Sequence, residues 1–163
     1  MFTRRRGAEN RGAEKADRMK EIDEITGDVL DVALSLHREL GPGLLESVYE
    51  ALLGRRLEAM GYRVDRQRVI SAELEGMFFE AACRAYLVID DRLVVEVKSV
   101  ERLLPLHAKQ VLTYLRLLRQ PVGLLINFGG ETLKEGVKRI VNEYRPSAPP
   151  SSSPRLRVNQ IQE

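Results

Sequence analysis

The chain has 163 residues and a formal charge of +2, with 44% hydrophobic and 31% charged residues, the profile of one globular domain with tails. No apolar run approaches the ~20 residues needed to cross a bilayer, and no apolar stretch follows Arg4-Arg5-Arg6 as a secretory signal would require. A single cysteine, Cys83, excludes an internal disulfide, reads as a small apolar filler, and suits a reducing, cytoplasmic compartment.

The positive charge is concentrated at the ends. Residues 1–20 hold seven Lys/Arg against three Asp/Glu, and residues 145–163 hold three against one. The segment between them has 16 positive and 20 negative side chains, so the core is mildly acidic and advertises no general nucleic-acid surface. Residues 1–18 lack apolar periodicity and are expected to be a disordered basic arm, solvated or touching phosphates. Residues 145–163, with Pro146-Ser147-Ala148-Pro149-Pro150-Ser151-Ser152-Ser153-Pro154, are expected to be a disordered tail or linker. The domain is then expected over 19–144.

Within it, Ile22, Ile25, Val29, Val32, Leu36 and Leu40 step by three and four, which predicts an amphipathic helix over about 19–40, stopped by Gly41-Pro42. A second helix carries Leu45, Val48, Tyr49, Leu52, Leu53, Leu57 and Met60 and ends at Gly61. The period then changes. Tyr62–Glu75 and Met77–Ile89 read as extended segments joined near Gly76, and Asp90-Asp91-Arg92 is a polar turn before the β-branched run Leu93–Lys98. Helical spacing returns over about Leu106–Leu118, with Pro105 at the entry. Val122–Phe128 is continuously apolar except for Gly123 and Asn127, as for a strand covered on both faces. Leu133–Tyr144 is ambiguous and leans to a turn with a last strand or short helix. This order implies an α/β fold, a central mixed sheet flanked by helices, with a right-handed helical crossover setting Leu93–Lys98 parallel to Val122–Phe128.

Glu96-Val97-Lys98 is the feature most suggestive of chemistry. Residues two apart on a strand share a face, so a carboxylate and an ammonium stand together at the end of an apolar run. Such a pair can hold Mg²⁺ and orient a water, and it also fits a plain ion pair at a strand end. Glu46 begins the second helix, where the macrodipole alone favours an acid. Gln110 and Tyr114 share a helix face four residues apart, as a polar edge and a half-buried aromatic would. His107 near the same helix start reads as a surface residue.

These pieces fall in one pattern. Gly41-Pro42-Gly43-Leu44-Leu45-Glu46-Ser47-Val48-Tyr49 resembles the signature of the GxxExxY proteins in the PD-(D/E)XK nuclease superfamily. The resemblance continues through Arg84–Lys98, Leu103–His107, Gln110–Leu115, Leu124–Phe128 and Gly136–Asn142. It implies a restriction-endonuclease-like fold, with Glu46 as the helix acid, Glu96 and Lys98 as the E-x-K pair, and Gln110 and Tyr114 as the Q-x-x-x-Y helix motif. It also implies Mg²⁺ or Mn²⁺ as cofactor and DNA or RNA as partner.

One position departs. The family's aspartate, ten residues before the glutamate, is Tyr86 here, and a phenol is a poor Mg²⁺ ligand at neutral pH. With a three-residue turn at 90–92, Tyr86 is expected opposite Glu96 on one face, partly filling the metal site. Asp90 and Asp91 in the turn, and Glu80 about 20 Å back along the strand, are too distant to replace the lost ligand. Glu46 and Glu96 are left as a weak metal pair. The expected function is a nuclease-like domain impaired in cleavage and associated with nucleic acid, partly through the basic arm. The alternatives are an active Mg²⁺-dependent phosphodiesterase using Glu46, Glu96 and Lys98, and a protein-interaction module reusing the fold. A homo-oligomer or a protein partner fits either.

Overall fold

The computed structural model describes residues 19–143. The expected basic arm and Pro/Ser-rich tail lie outside the described residues, as does Tyr144. Helix α1 (Ile22–Leu40) buries Ile25, Val29, Ala33 and Leu36, the stripe its spacing announced. It starts three residues later than the periodicity suggested, because the Glu24 carboxylate accepts a 2.7 Å hydrogen bond from the Glu21 N–H and closes the first turn there. Gly41, at φ +67, turns the chain out of the helix while its N–H donates to the His37 carbonyl. Helix α2 (Glu46–Ala59) buries Tyr49, Leu53 and Leu57, one turn apart.

Strands β1 (Val64–Leu74) and β2 (Met77–Ile89) form a hairpin closed by Glu75-Gly76, both at positive φ, as two-residue hairpin turns require. The turn Asp90-Asp91-Arg92 leads to β3 (Leu93–Lys98), antiparallel to β2. Helix α3 (Pro105–Leu118), with proline in its first turn, crosses over to β4 (Val122–Asn127), which lies parallel and adjacent to β3. The ambiguous stretch resolves into a 3₁₀ turn (Lys134–Gly136) and β5 (Val137–Val141), because β4 offers an edge with which β5 pairs antiparallel. The sheet order is β1-β2-β3-β4-β5.

Helices α1 and α2 cover one face of the sheet, with Leu87, Val95, Val97, Leu124, Ile126 and Phe128 in the shared core. Helix α3 covers the other, packing Val111, Tyr114 and Leu115 on Ala85, Val88, Val94 and Leu125. Each Leu or Val so buried contributes about 1.5–3 kcal/mol. Gly123 lies under α3, where a Cβ would come within 2.9 Å of Val111.

Two irregularities shape the site. Strand β2 pairs with β3 only over Leu87–Ile89, and its pairs over Met77–Phe79 and Cys83–Ala85 are with β1 alone. Side-chain alternation also breaks there: Ala85 and Val88 face α3, while Tyr86 and Leu87 both pack toward α1 and α2. The residue that the β1 register sets across from Tyr86 is Gln67, held at φ +53, where the ladder is interrupted.

Candidate active site

The site lies where β2 and β3 part, at the C-terminal end of β3. Glu46 stands at the first position of α2 and is held from two sides. The Tyr86 hydroxyl donates to its Oε2 at 2.6 Å, and the Ser99 N–H donates to Oε1 at 3.2 Å. Ser99 Oγ donates to the Leu44 carbonyl at 2.6 Å, tying the chain after β3 to the loop before α2. These residues line an open cleft of about 630 Å³ together with Gly43, Leu45, Val100 and Gly129.

Glu96 is fully buried, and neither carboxylate oxygen accepts a well-formed hydrogen bond. Lys98 Nζ lies 3.1 Å from Oε1 as an ion pair, and 5.6 Å from the centre of the Tyr86 ring. Burial pushes the Glu96 carboxyl up to about 7, against the pull of the Lys98 charge. The Tyr86 phenol is pushed well above its ordinary value by burial first and by its hydrogen bond to Glu46 second, so it keeps its proton at neutral pH.

The expectation that Tyr86 sits directly across a strand pair from Glu96 needs correction. The ladder ends at Leu87–Val95, and Tyr86 turns toward α2, whereas Glu96 has the parity of Val94, which faces α3. Tyr86 therefore caps Glu46, and Lys98 lies between the phenol ring and Glu96. Gln110 Nε2 donates to the Tyr114 hydroxyl at 2.6 Å. Tyr114 is only 4% exposed, and burial, with the Glu96 charge next, pushes it up to about 12. His107 Nδ1 accepts from the Leu104 N–H at 3.1 Å and so serves the helix start.

The acids weighed as substitutes are elsewhere. Asp90 accepts from the Arg63 N–H at 2.8 Å, Asp91 pairs with Arg68, and Glu80 is exposed on the hairpin. Three contributors escaped the sequence reading. Ser99 gave no signal beyond following Lys98. Asn127 was legible as an amide ending an apolar strand; it accepts from the Val100 N–H and donates to the Val100 carbonyl. Glu50, one turn after Glu46, is 1% exposed and bound by Arg66 at 3.1 Å and Gln67 at 2.6 Å.

A divalent ion fits this donor set poorly. Both Glu46 oxygens accept hydrogen bonds, Lys98 offsets the charge of Glu96, and Tyr86 supplies a protonated phenol where a carboxylate is needed. Among the described residues no cluster of three or more His, Cys, Asp or Glu side chains is placed to hold a metal.

A family model described as the PD-(D/E)XK nuclease superfamily matches residues 23–140. Among solved structures, the crystal structure of SSO0001 is similar at 20% identity, covering 74% of this chain and 79% of that one, with a TM-score of 0.39. No curated protein sequence matches the chain.

Proposed function

The chain belongs to the PD-(D/E)XK nuclease superfamily, and from that premise we propose a nuclease-like domain that is impaired in cleavage and associates with nucleic acid. The finer resemblance, to the GxxExxY proteins, rests on Gly41–Tyr49 and is part of this proposal. One observation supports the impairment: the Tyr86 hydroxyl, in place of an aspartate, donates to Glu46 and leaves that acid's oxygens engaged. Superfamily members typically use a divalent metal. Such an ion polarises the scissile phosphate and activates the attacking water. With a phenol at the central position, a ligand and a negative charge are both missing.

The rival reading, a working Mg²⁺-dependent phosphodiesterase using Glu46, Glu96 and Lys98, draws on a different observation. Glu96 is a fully buried carboxylate with no well-formed hydrogen bond and Lys98 Nζ 3.1 Å from Oε1, and a bound cation would add to the compensation of that buried charge. Calorimetric titration with Mg²⁺ and Mn²⁺ and a plasmid-nicking assay separate the two. The wild type is expected to show little metal-dependent nicking. Tyr86→Asp is expected to tighten metal binding by about tenfold or more, and adding Glu96→Ala to abolish that gain. Metal-dependent nicking by the wild type that disappears in Glu96→Ala or Lys98→Ala would establish the phosphodiesterase instead.

A further inference from the structure

The β1–β2 hairpin extends past the rest of the sheet, and from Met77 to Ala85 the edge of β2 away from β1 pairs with no other strand among the described residues. An open edge is a row of free N–H and C=O groups, and folded chains usually protect it with lysine, proline or a covering segment. Among the described residues none of these protects this one. The segment Met77-Phe78-Phe79-Glu80-Ala81-Ala82-Cys83-Arg84-Ala85-Tyr86 has no proline or lysine and only two charges. Phe78 is 67% exposed and Phe79 42%. The two charged side chains, Glu80 and Arg84, are exposed, and neither forms an ion pair with a described residue.

We propose that a second copy of this chain docks on the β2 edge, the two strands pairing antiparallel about a two-fold axis at Ala82. A two-fold axis makes residue i of one copy face residue j of the other, and j face i. The segment has one acid and one base, and they stand equally far from Ala82. Centring on Ala82 therefore places Glu80 of each copy opposite Arg84 of the other, giving two cross-strand ion pairs. Centring on Glu80 or on Arg84 would set like charges against each other, and no other symmetric register pairs these opposite charges. The middle of the contact carries Ala81 and Ala82, small enough for a second backbone to approach. It coincides with a bulge: β2 takes four steps from Phe79 to Cys83 while β1 takes two from Ala72 to Ile70. The same register lays Phe78 and Phe79 of each copy against the other copy's strand, covering apolar surface that is otherwise wet. The hairpin beyond β3 also carries Glu73, Glu75 and Glu80 against Arg68 and Arg84, with Arg68 already paired to Asp65 and Asp91, a charge balance suited to a polypeptide neighbour and not to a phosphate backbone.

The full-length protein tests this directly by sedimentation equilibrium across a concentration series. The wild type is expected to dimerise. Glu80→Arg and Arg84→Glu each replace two attractive pairs by two repulsive ones, and each is expected to weaken the dimer by about tenfold or more. Mixing the two variants is expected to restore association as a heterodimer, because every facing pair is then opposite in charge. Both positions are exposed, so circular dichroism is expected to show unchanged folding. A monomeric wild type, a dimer indifferent to the single reversals, or a mixture that stays monomeric would each overturn the proposal.

Discussion

At Glu96 the balance between desolvation and pairing sets a pH dependence. The carboxyl is buried beside Lys98, and burial wins, raising its pKa from an ordinary 4.5 to about 7. A group whose folded pKa lies above its unfolded one binds more protons in the native state, so native stability falls as pH rises between the two values. Its contribution is present below about pH 4.5 and lost by about pH 7. The loss is on the order of 3 kcal/mol. Glu96→Gln should remove most of this slope, as read from urea denaturation at several pH values between 4 and 8. An unchanged slope would place the titration on another group. At Tyr86 the same burial acts on a phenol, whose neutral form is favoured further by the charge of Glu46. The two shifts agree in sense: this end of β3 resists holding negative charge unless a cation is near.

The elements around the cleft are held together by backbone contacts, and these leave little room. The loop after β4 passes against the chain after β3, and a Cβ on Gly129 would lie 2.3 Å from the Val100 carbonyl oxygen. Asn127 bonds both polar groups of the Val100 backbone and also accepts from the Gly129 N–H at 3.0 Å. This clamp fixes Ser99, whose N–H and hydroxyl in turn hold Glu46 and Leu44. Gly129→Ala is therefore expected to cost about 1–3 kcal/mol, as over-packing against backbone does. Amide exchange at Ser99 should accelerate with it, since the displaced strand end loses its support. A variant with wild-type melting temperature and unchanged Ser99 exchange would show that the loop gives way without cost. On the α1/α2 side, Tyr49 stacks on Phe128 with ring centres 4.3 Å apart, and its hydroxyl donates to the Gly41 carbonyl, so the tyrosine of the GxxExxY-like run is a packing residue.

Over the whole molecule, charge is divided between an acidic middle and basic ends. Lysine and arginine that neutralise phosphates release counterions, which gives each neutralised phosphate a signature in salt dependence. Nucleic-acid binding by this chain should accordingly be weak and salt-sensitive, with residues 1–18 supplying much of it. Removing them should lower affinity for a generic duplex and reduce the log–log salt slope by about 0.9 for every phosphate that the arm neutralises. Titrations of the full-length and shortened chains at two salt concentrations check this, and equal slopes would move the binding surface onto the domain.

Much of the architecture was legible one element at a time. Apolar steps of three and four placed α1, α2 and α3; Gly41-Pro42, Gly76 and Pro105 marked turns and entries; and the continuous run at Val122–Phe128 announced a strand covered twice. The break in family pattern at Tyr86 was also visible, because it depends only on residue type and spacing. Tertiary structure decided the rest. Leu133–Tyr144 had no clear period, and its Val137–Val141 portion became a strand because β4 presented a free edge to it. Strict alternation put Tyr86 on the face of Glu96, but the left-handed Gln67 across the ladder and the parting of β2 from β3 turned the ring toward Glu46. Glu50, Ser99 and Asn127 each bond partners at least sixteen residues away in sequence, which no local pattern reveals. Periodicity reports which face a residue presents within its own element. Which groups meet across elements depends on where strands stop pairing, and that is settled only when the whole sheet forms.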